Sequence, residues 1–159
     1  VLEPSVLARI PPGEKVSIER VTFPAIVADR GVFGLATDDY WIDTGKPDLY
    51  LAANIDLVTG RRVGQTCDAV APGAHVDATA SVTASVVDDG ATVSADAVVE
   101  RSVLLHGAHV GAGARVSGSV VMGHVGDGAV VVDSVLGAGA VVDAGEHLVG
   151  HRRPDPDGA

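Results

Sequence analysis

Between Val70 and Leu148 an aliphatic residue returns about every six positions, followed by a small or acidic residue and, four places on, by Ala or Val. Val70-Ala-Pro-Gly-Ala-His, Val76-Asp-Ala-Thr-Ala-Ser, Val93-Ser-Ala-Asp-Ala-Val, Val110-Gly-Ala-Gly-Ala-Arg, Val125-Gly-Asp-Gly-Ala-Val and Leu136-Gly-Ala-Gly-Ala-Val all follow it. A longer block repeats above this level, with Val93 and Val110 starting two copies 17 residues apart and Val125 a third copy 15 residues further. Two residues are therefore missing near Gly123-His124, which predicts a distorted corner available for a contact.

A period of six suits neither the 3.6-residue turn of a helix nor the simple alternation of a sheet. It suits a β-solenoid, in which each hexad is a short strand plus a corner and three hexads close a triangular coil of about 18 residues. Coils then stack at roughly the 4.8 Å spacing of paired strands. The pattern predicts Val76, Val82, Val93, Val99, Leu104, Val110, Val116, Val131, Leu136 and Val142 buried along one axis. A narrow interior admits only Ala or Val at the second inward position, and the corners call for Gly, Asn or Asp.

The first sixty residues lack the rhythm. Val1-Leu2-Glu3 reads as the end of a strand, and Pro4-Ser5 opens a helical turn through Ile10 that Pro11-Pro12-Gly13 stops. Ser17 is an N-cap for a helix over Ile18 to Asp29 that Pro24 should kink or split, with Gly31 ending it. Val32–Ala36 and Tyr40–Ile42 read as two short strands joined at Asp38-Asp39. A last helix begins with Pro47 at its first position and runs towards Gly60. Gly60-Arg61-Arg62 is the expected hinge into the solenoid.

The 159 residues carry a formal charge of −10, and between Val63 and Ala159 twelve acids face four arginines, which disfavours nucleic acid and anionic membranes as partners. Twenty glycines and 3% aromatic residues match the narrow coil geometry. The lone Cys67 excludes an internal disulfide framework, fits a reducing compartment and reads as a small buried hydrophobe. With neither an 18-residue uncharged apolar run nor a signal segment, a cytoplasmic location is expected. The first half has too few apolar residues to close a core, so the chain reads as a fragment of a longer protein.

Chemistry concentrates in Tyr40-Trp41-Ile42-Asp43-Thr44-Gly45-Lys46-Pro47-Asp48-Leu49-Tyr50-Leu51-Ala52-Ala53-Asn54. This run resembles the segment closing the catalytic domain of the sugar-nucleotide pyrophosphorylases. Ser17-Ile18-Glu19-Arg20, Phe23-Pro24 and the solenoid that follows make the mannose-1-phosphate guanylyltransferase branch the most similar, and ADP-glucose pyrophosphorylases share a similar Tyr-Trp-x-Asp-x-Gly run. The resemblance implies a mainly β chain. Its parts would be the C-terminal part of an α/β nucleotidyltransferase domain over 1–60, a left-handed parallel β-helix of hexapeptide repeats over 63–150 and a polar tail over 151–159.

It further implies a Mg²⁺-dependent enzyme forming an NDP-sugar from a nucleoside triphosphate and a sugar 1-phosphate, GDP-mannose from GTP and mannose 1-phosphate in that branch. A Mg²⁺ held by one or two carboxylates and substrate phosphates would neutralise charge at the attacked phosphorus. By resemblance Asp43 is a catalytic residue and one of two metal ligands, and Trp41 and Gly45 shape the wall around the sugar phosphate. The plainer alternative, weighed below the metal role, is an ordinary strand-end acid capping a turn. Lys46 departs from the Thr or Gln usual after that glycine. The family's glycine-rich nucleotide loop, its other metal-binding aspartate and its sugar-contacting lysine have no match here, so the chain should hold no complete site and be inactive alone.

Six histidines remain, of which His109 and His124 each precede a Val-Gly-x-Gly-Ala hexad and are placed to stack at one corner of adjacent coils. A histidine can be the general base of the related hexapeptide acyltransferases, which use coenzyme A, and this is the main rival reading. A third reading gives the solenoid to assembly into a homo-oligomer, or to regulation, through its flat faces and exposed coil ends.

Overall fold

The six-residue rhythm folds, in the computed structural model, into a parallel β-solenoid of about five turns with three faces, consistent with the left-handed β-helix of hexapeptide repeats. The structure describes residues 1–62, 64 and 67–155. The first face stacks His75–Val76, Thr92–Val93, His109–Val110, His124–Val125 and Val141–Val142. The second stacks Ser81–Thr83, Val98–Glu100, Arg115–Ser117, Val130–Val132 and His147–Val149. The third stacks Val86–Val87, Val103–Leu104, Val120–Val121, Val135–Leu136 and Arg152–Arg153. The solenoid thus continues into the stretch read as tail. The expected boundary at residue 63, and residues 156–159 of the tail, lie outside the described residues.

A coil takes 17 residues, as the pairing of His75 with Thr92 shows, rather than the expected 18. The saved residue is at the corner between the second and third faces. There Ala84, Arg101 and Asp133 adopt positive φ angles of 46°, 46° and 47°, and Gly118 and Gly150 do the same, turning the chain within one residue. The other corners close with an ordinary turn hydrogen bond, as from Ala91 N–H to the Asp88 carbonyl at 3.1 Å. At the tight corner a serine replaces that bond. Ser85, Ser102, Ser119 and Ser134 are almost wholly buried. Each hydroxyl donates to the carbonyl two residues back, at 2.7–2.8 Å, and accepts the N–H at the equivalent position of the next coil, at 3.0–3.2 Å.

Inside, Val87, Val93, Val99, Leu104, Val110, Val116, Val121, Val125, Val131, Leu136 and Val142 form one core with Ala91, Ala97, Ala108, Ala114 and Ala129. The valine–alanine phasing read from the sequence is therefore the core itself. Val76 and Val82 are only partly buried, because they lie in the terminal coil. At the other end Arg153 occupies the register of Leu136. Its guanidinium donates to the Val141 carbonyl at 2.6 Å and to Glu146 at 2.7 Å, placing a paired charge over the end of an apolar column.

The two-residue gap falls between Val120 and His124, and Gly123 makes the short corner possible. It is threaded into the ladder, its carbonyl accepting His109 N–H at 3.0 Å, and a Cβ there would stand 2.3 Å from the Ala140 carbonyl oxygen.

The chain forms two compact units, Val1–Asp39 and Tyr40–Ala159. The first contains a 3₁₀ turn over Pro4–Arg9, one wide π-type turn over Ile18–Thr22 and helix α1, Phe23–Ala28. Ser17 caps the split helix as expected, accepting Arg20 N–H at 3.3 Å. The expected strands at Val1–Glu3, Val32–Ala36 and Tyr40–Ile42 are not formed. A strand needs a hydrogen-bonding neighbour, and among the described residues these segments have none. Phe33 and Leu35 accordingly stay about 90% exposed. Cys67 is exposed, not buried as expected, since it precedes the first complete coil.

In the second unit helix α2, Pro47–Val58, begins at the expected proline. Val103 and Val120 lie outside the central core and are nevertheless buried. They face outward on the third face, against which α2 and the turn before it pack. No helix among the described residues is long and apolar enough to cross a membrane.

Candidate functional site

The chemistry-bearing segment is tied down at two places. Its end is the first turn of α2, where Tyr50 N–H donates to the Lys46 carbonyl at 2.8 Å. Its start is Tyr40, whose hydroxyl donates to Asp56 Oδ2 at 2.9 Å, near the other end of the helix. Asp56 Oδ1 lies 3.4 Å from Arg61 Nη1, and the Arg62 guanidinium sits over the Tyr40 ring, 5.6 Å from its centroid. Desolvation, with the hydrogen bond to Asp56 next, raises the Tyr40 phenol above its ordinary pKa.

Asp43 lies between these ties, with its side chain in solvent. Its Oδ1 accepts Gly45 N–H at 2.9 Å, so the turn-capping reading is realised. A Cβ at position 45 would stand 3.2 Å from that oxygen, a close approach that the exposed carboxylate could relieve by a small shift. Trp41 is 82% exposed. Thr44, Lys46 and Pro47 border an apolar groove floored by Val120, Met122 and Val135 of the third face. Met122 belongs to the shortened corner, so that corner borders the same groove as the Thr44–Pro47 turn.

Among the described residues no group of three or more His, Cys, Asp or Glu could hold a metal. Asp43 is a single accessible carboxylate. That suits an ion bound mostly by water and phosphate oxygens, to which a protein contributes one or two carboxylates, and it does not make a site alone.

His109 and His124 pair in register and stack, with ring centroids 4.4 Å apart and planes 9° from parallel. They stand on the first face rather than at a corner, because each is a strand residue. Partial burial, then the neighbouring His124, lowers the pKa of His109, while Asp127 opposes the shift. Sequence reasoning missed the Tyr40–Asp56 bond and the serine ladder. Its only signal for the ladder was the Ser-Val that closes each long block.

Residues 53–125 and, overlapping them, 74–153 match the family model described as GlmU-like, C-terminal hexapeptide. The chain belongs to that family. This GlmU-like hexapeptide chain is also similar to curated proteins. It is 42% identical over 62 residues to a mannose-1-phosphate guanylyltransferase of Mycobacterium tuberculosis, covering 38% of this chain and 17% of that protein. A mannose-1-phosphate guanyltransferase of Schizosaccharomyces pombe is 45% identical over 51 residues, 32% of this chain and 14% of that protein. A probable mannose-1-phosphate guanylyltransferase 1 of Oryza sativa is 37% identical over 82 residues, 48% of this chain and 20% of that protein. The hexapeptide chain thus covers a fifth or less of each of these relatives.

Proposed function

We propose that this chain is the C-terminal portion of a cytoplasmic, Mg²⁺-dependent nucleotidyltransferase that makes GDP-mannose from GTP and mannose 1-phosphate. The observation that carries this reading is the similarity to proteins of that one name in three organisms. In this reading Asp43 contributes one carboxylate to a Mg²⁺ whose other ligands come from substrate phosphates and from residues outside the chain. The metal would supply charge neutralisation at the attacked phosphorus. The Gly45 N–H orients the Asp43 carboxylate, and the solenoid serves assembly into a homo-oligomer or regulation.

An ADP-glucose-type activity would use the same segment. An acyltransferase would instead use the His109–His124 pair, and the Tyr40–Asn54 run would have no part in it. A pyrophosphate-release assay with GTP and mannose 1-phosphate tests the proposal. In the longer enzyme, Asp43→Asn should lower turnover by orders of magnitude with folding intact, and near-normal rates would falsify the role of Asp43. Residues 1–159 alone should give no turnover. Calorimetric titration with coenzyme A should show no binding, and micromolar affinity lost in His109→Ala would favour the acyltransferase.

A further inference from the structure

The run from Tyr40 to Pro47 is longer than the stretch of helix it accompanies. Pro47 to Asp56 rises roughly 14 Å along α2, whereas seven residues of extended chain can reach about 24 Å. A bridge with that much slack holds its middle in place only if both ends are fixed. The end at Pro47 is covalently part of the helix. The start is held at Tyr40, by its hydrogen bond to Asp56 and by the Arg62 guanidinium over its ring, since Trp41 is in solvent.

Asp56 is suited to that task. Its side chain is 17% exposed, one carboxylate oxygen takes the Tyr40 hydroxyl and the other faces Arg61. Its backbone carbonyl accepts the N–H groups of Arg61 and Arg62 at 2.9 and 3.3 Å, closing the end of the helix. One residue therefore joins the end of α2, the arginine pair and the start of the Asp43 segment.

We propose that Tyr40 and Asp56 are positioning residues, a latch that fixes the Tyr40–Gly45 segment along α2 and so presents the Asp43 carboxylate. The proposal rests on the reading of Asp43 as a metal ligand. Without the latch Asp43 keeps its charge and its bond to Gly45 but loses its place. Metal binding weakens, and abundant metal compensates.

The test uses the longer enzyme for kinetics and residues 1–159 for the latch itself. In the enzyme, Tyr40→Phe should raise the apparent Mg²⁺ activation constant about 10- to 100-fold, the range seen when groups supporting a metal ligand are removed. Excess Mg²⁺ should restore turnover, which a merely unfolded variant would not allow. Tyr40→Phe and Asp56→Asn together should cost no more than either alone. An unchanged activation constant in Tyr40→Phe, or a loss that Mg²⁺ does not restore, would overturn the latch while an inactive Asp43→Asn leaves the metal reading standing. Near-normal turnover in Asp43→Asn would overturn both. In residues 1–159 carrying Tyr50→Phe, ultraviolet titration should find Tyr40 ionising above the ordinary phenol range, and Asp56→Asn should lower it by the part that Asp56 contributes, desolvation keeping the rest. A Tyr40 that titrates normally in the presence of Asp56 would also overturn the latch.

Discussion

Ser119 Oγ accepts the backbone N–H of Ser134 across adjacent coils at 3.0 Å, and both residues are buried. The bond does for the tight corner what a turn hydrogen bond does for the other two. Ser119→Ala leaves the Ser134 N–H without its partner, while the Ser117 carbonyl keeps the Asp133 N–H. A buried unsatisfied donor costs roughly 1–3 kcal/mol. Urea denaturation should show that loss, and an unchanged midpoint would remove the ladder from the account of stability.

Gly123 should be intolerant of any side chain. Its φ is not positive, so the obstacle is the Ala140 carbonyl rather than backbone preference. Gly123→Ala should destabilise by about 1–3 kcal/mol, as overpacking does. Gly107→Ala is the contrast, because a Cβ there meets nothing within 4 Å and only its φ of 75° opposes the change.

The stacked histidines predict a response to mild acid. Because burial and His124 lower the pKa of His109, the unfolded chain binds the proton more readily than the folded one. Stability is therefore full above about pH 6.5, the unfolded value, and falls as the pH drops through the folded pKa. Melting temperatures measured from pH 8 to 5 should show this, and His124→Gln should flatten the curve.

A second acid response belongs to the end of the solenoid. The Arg153 hydrogen bond, helped by the Asp143 N–H, holds Glu146 at about 2, below its ordinary 4.5. A depressed carboxylate contributes stability above its unfolded pKa and loses it as the pH falls, here between about 4.5 and 2. Arg153→Met should lower thermal stability at pH 7 and shrink the Glu146 part of the acid dependence to what the Asp143 N–H sustains. Equal melting curves for the two proteins over that range would show that the pair does not close the coil end.

The repeating half was legible because its information is local and periodic. An inward Val, a corner and an Ala four residues later must coincide in every coil, so the sequence by itself determined the solenoid phase and the core. The helix starts at Pro4, Ser17 and Pro47 were legible for the same reason, since caps and first-turn prolines act within a few residues. The candidate site was legible only as a motif. That the Asp43 turn sits against the third face, at the corner shortened by two residues, and that Tyr40 reaches Asp56 sixteen residues away, depended on packing.

The tertiary structure also decided which apolar segments became strands and which polar ones became core. Val32–Ala36 has strand composition but no strand to pair with among the described residues, and it stays open. The corner serines and Arg153 look like surface residues in sequence. They are drawn inward because the coil beside each one leaves a backbone group or an apolar end that only a hydrogen-bonding side chain can complete.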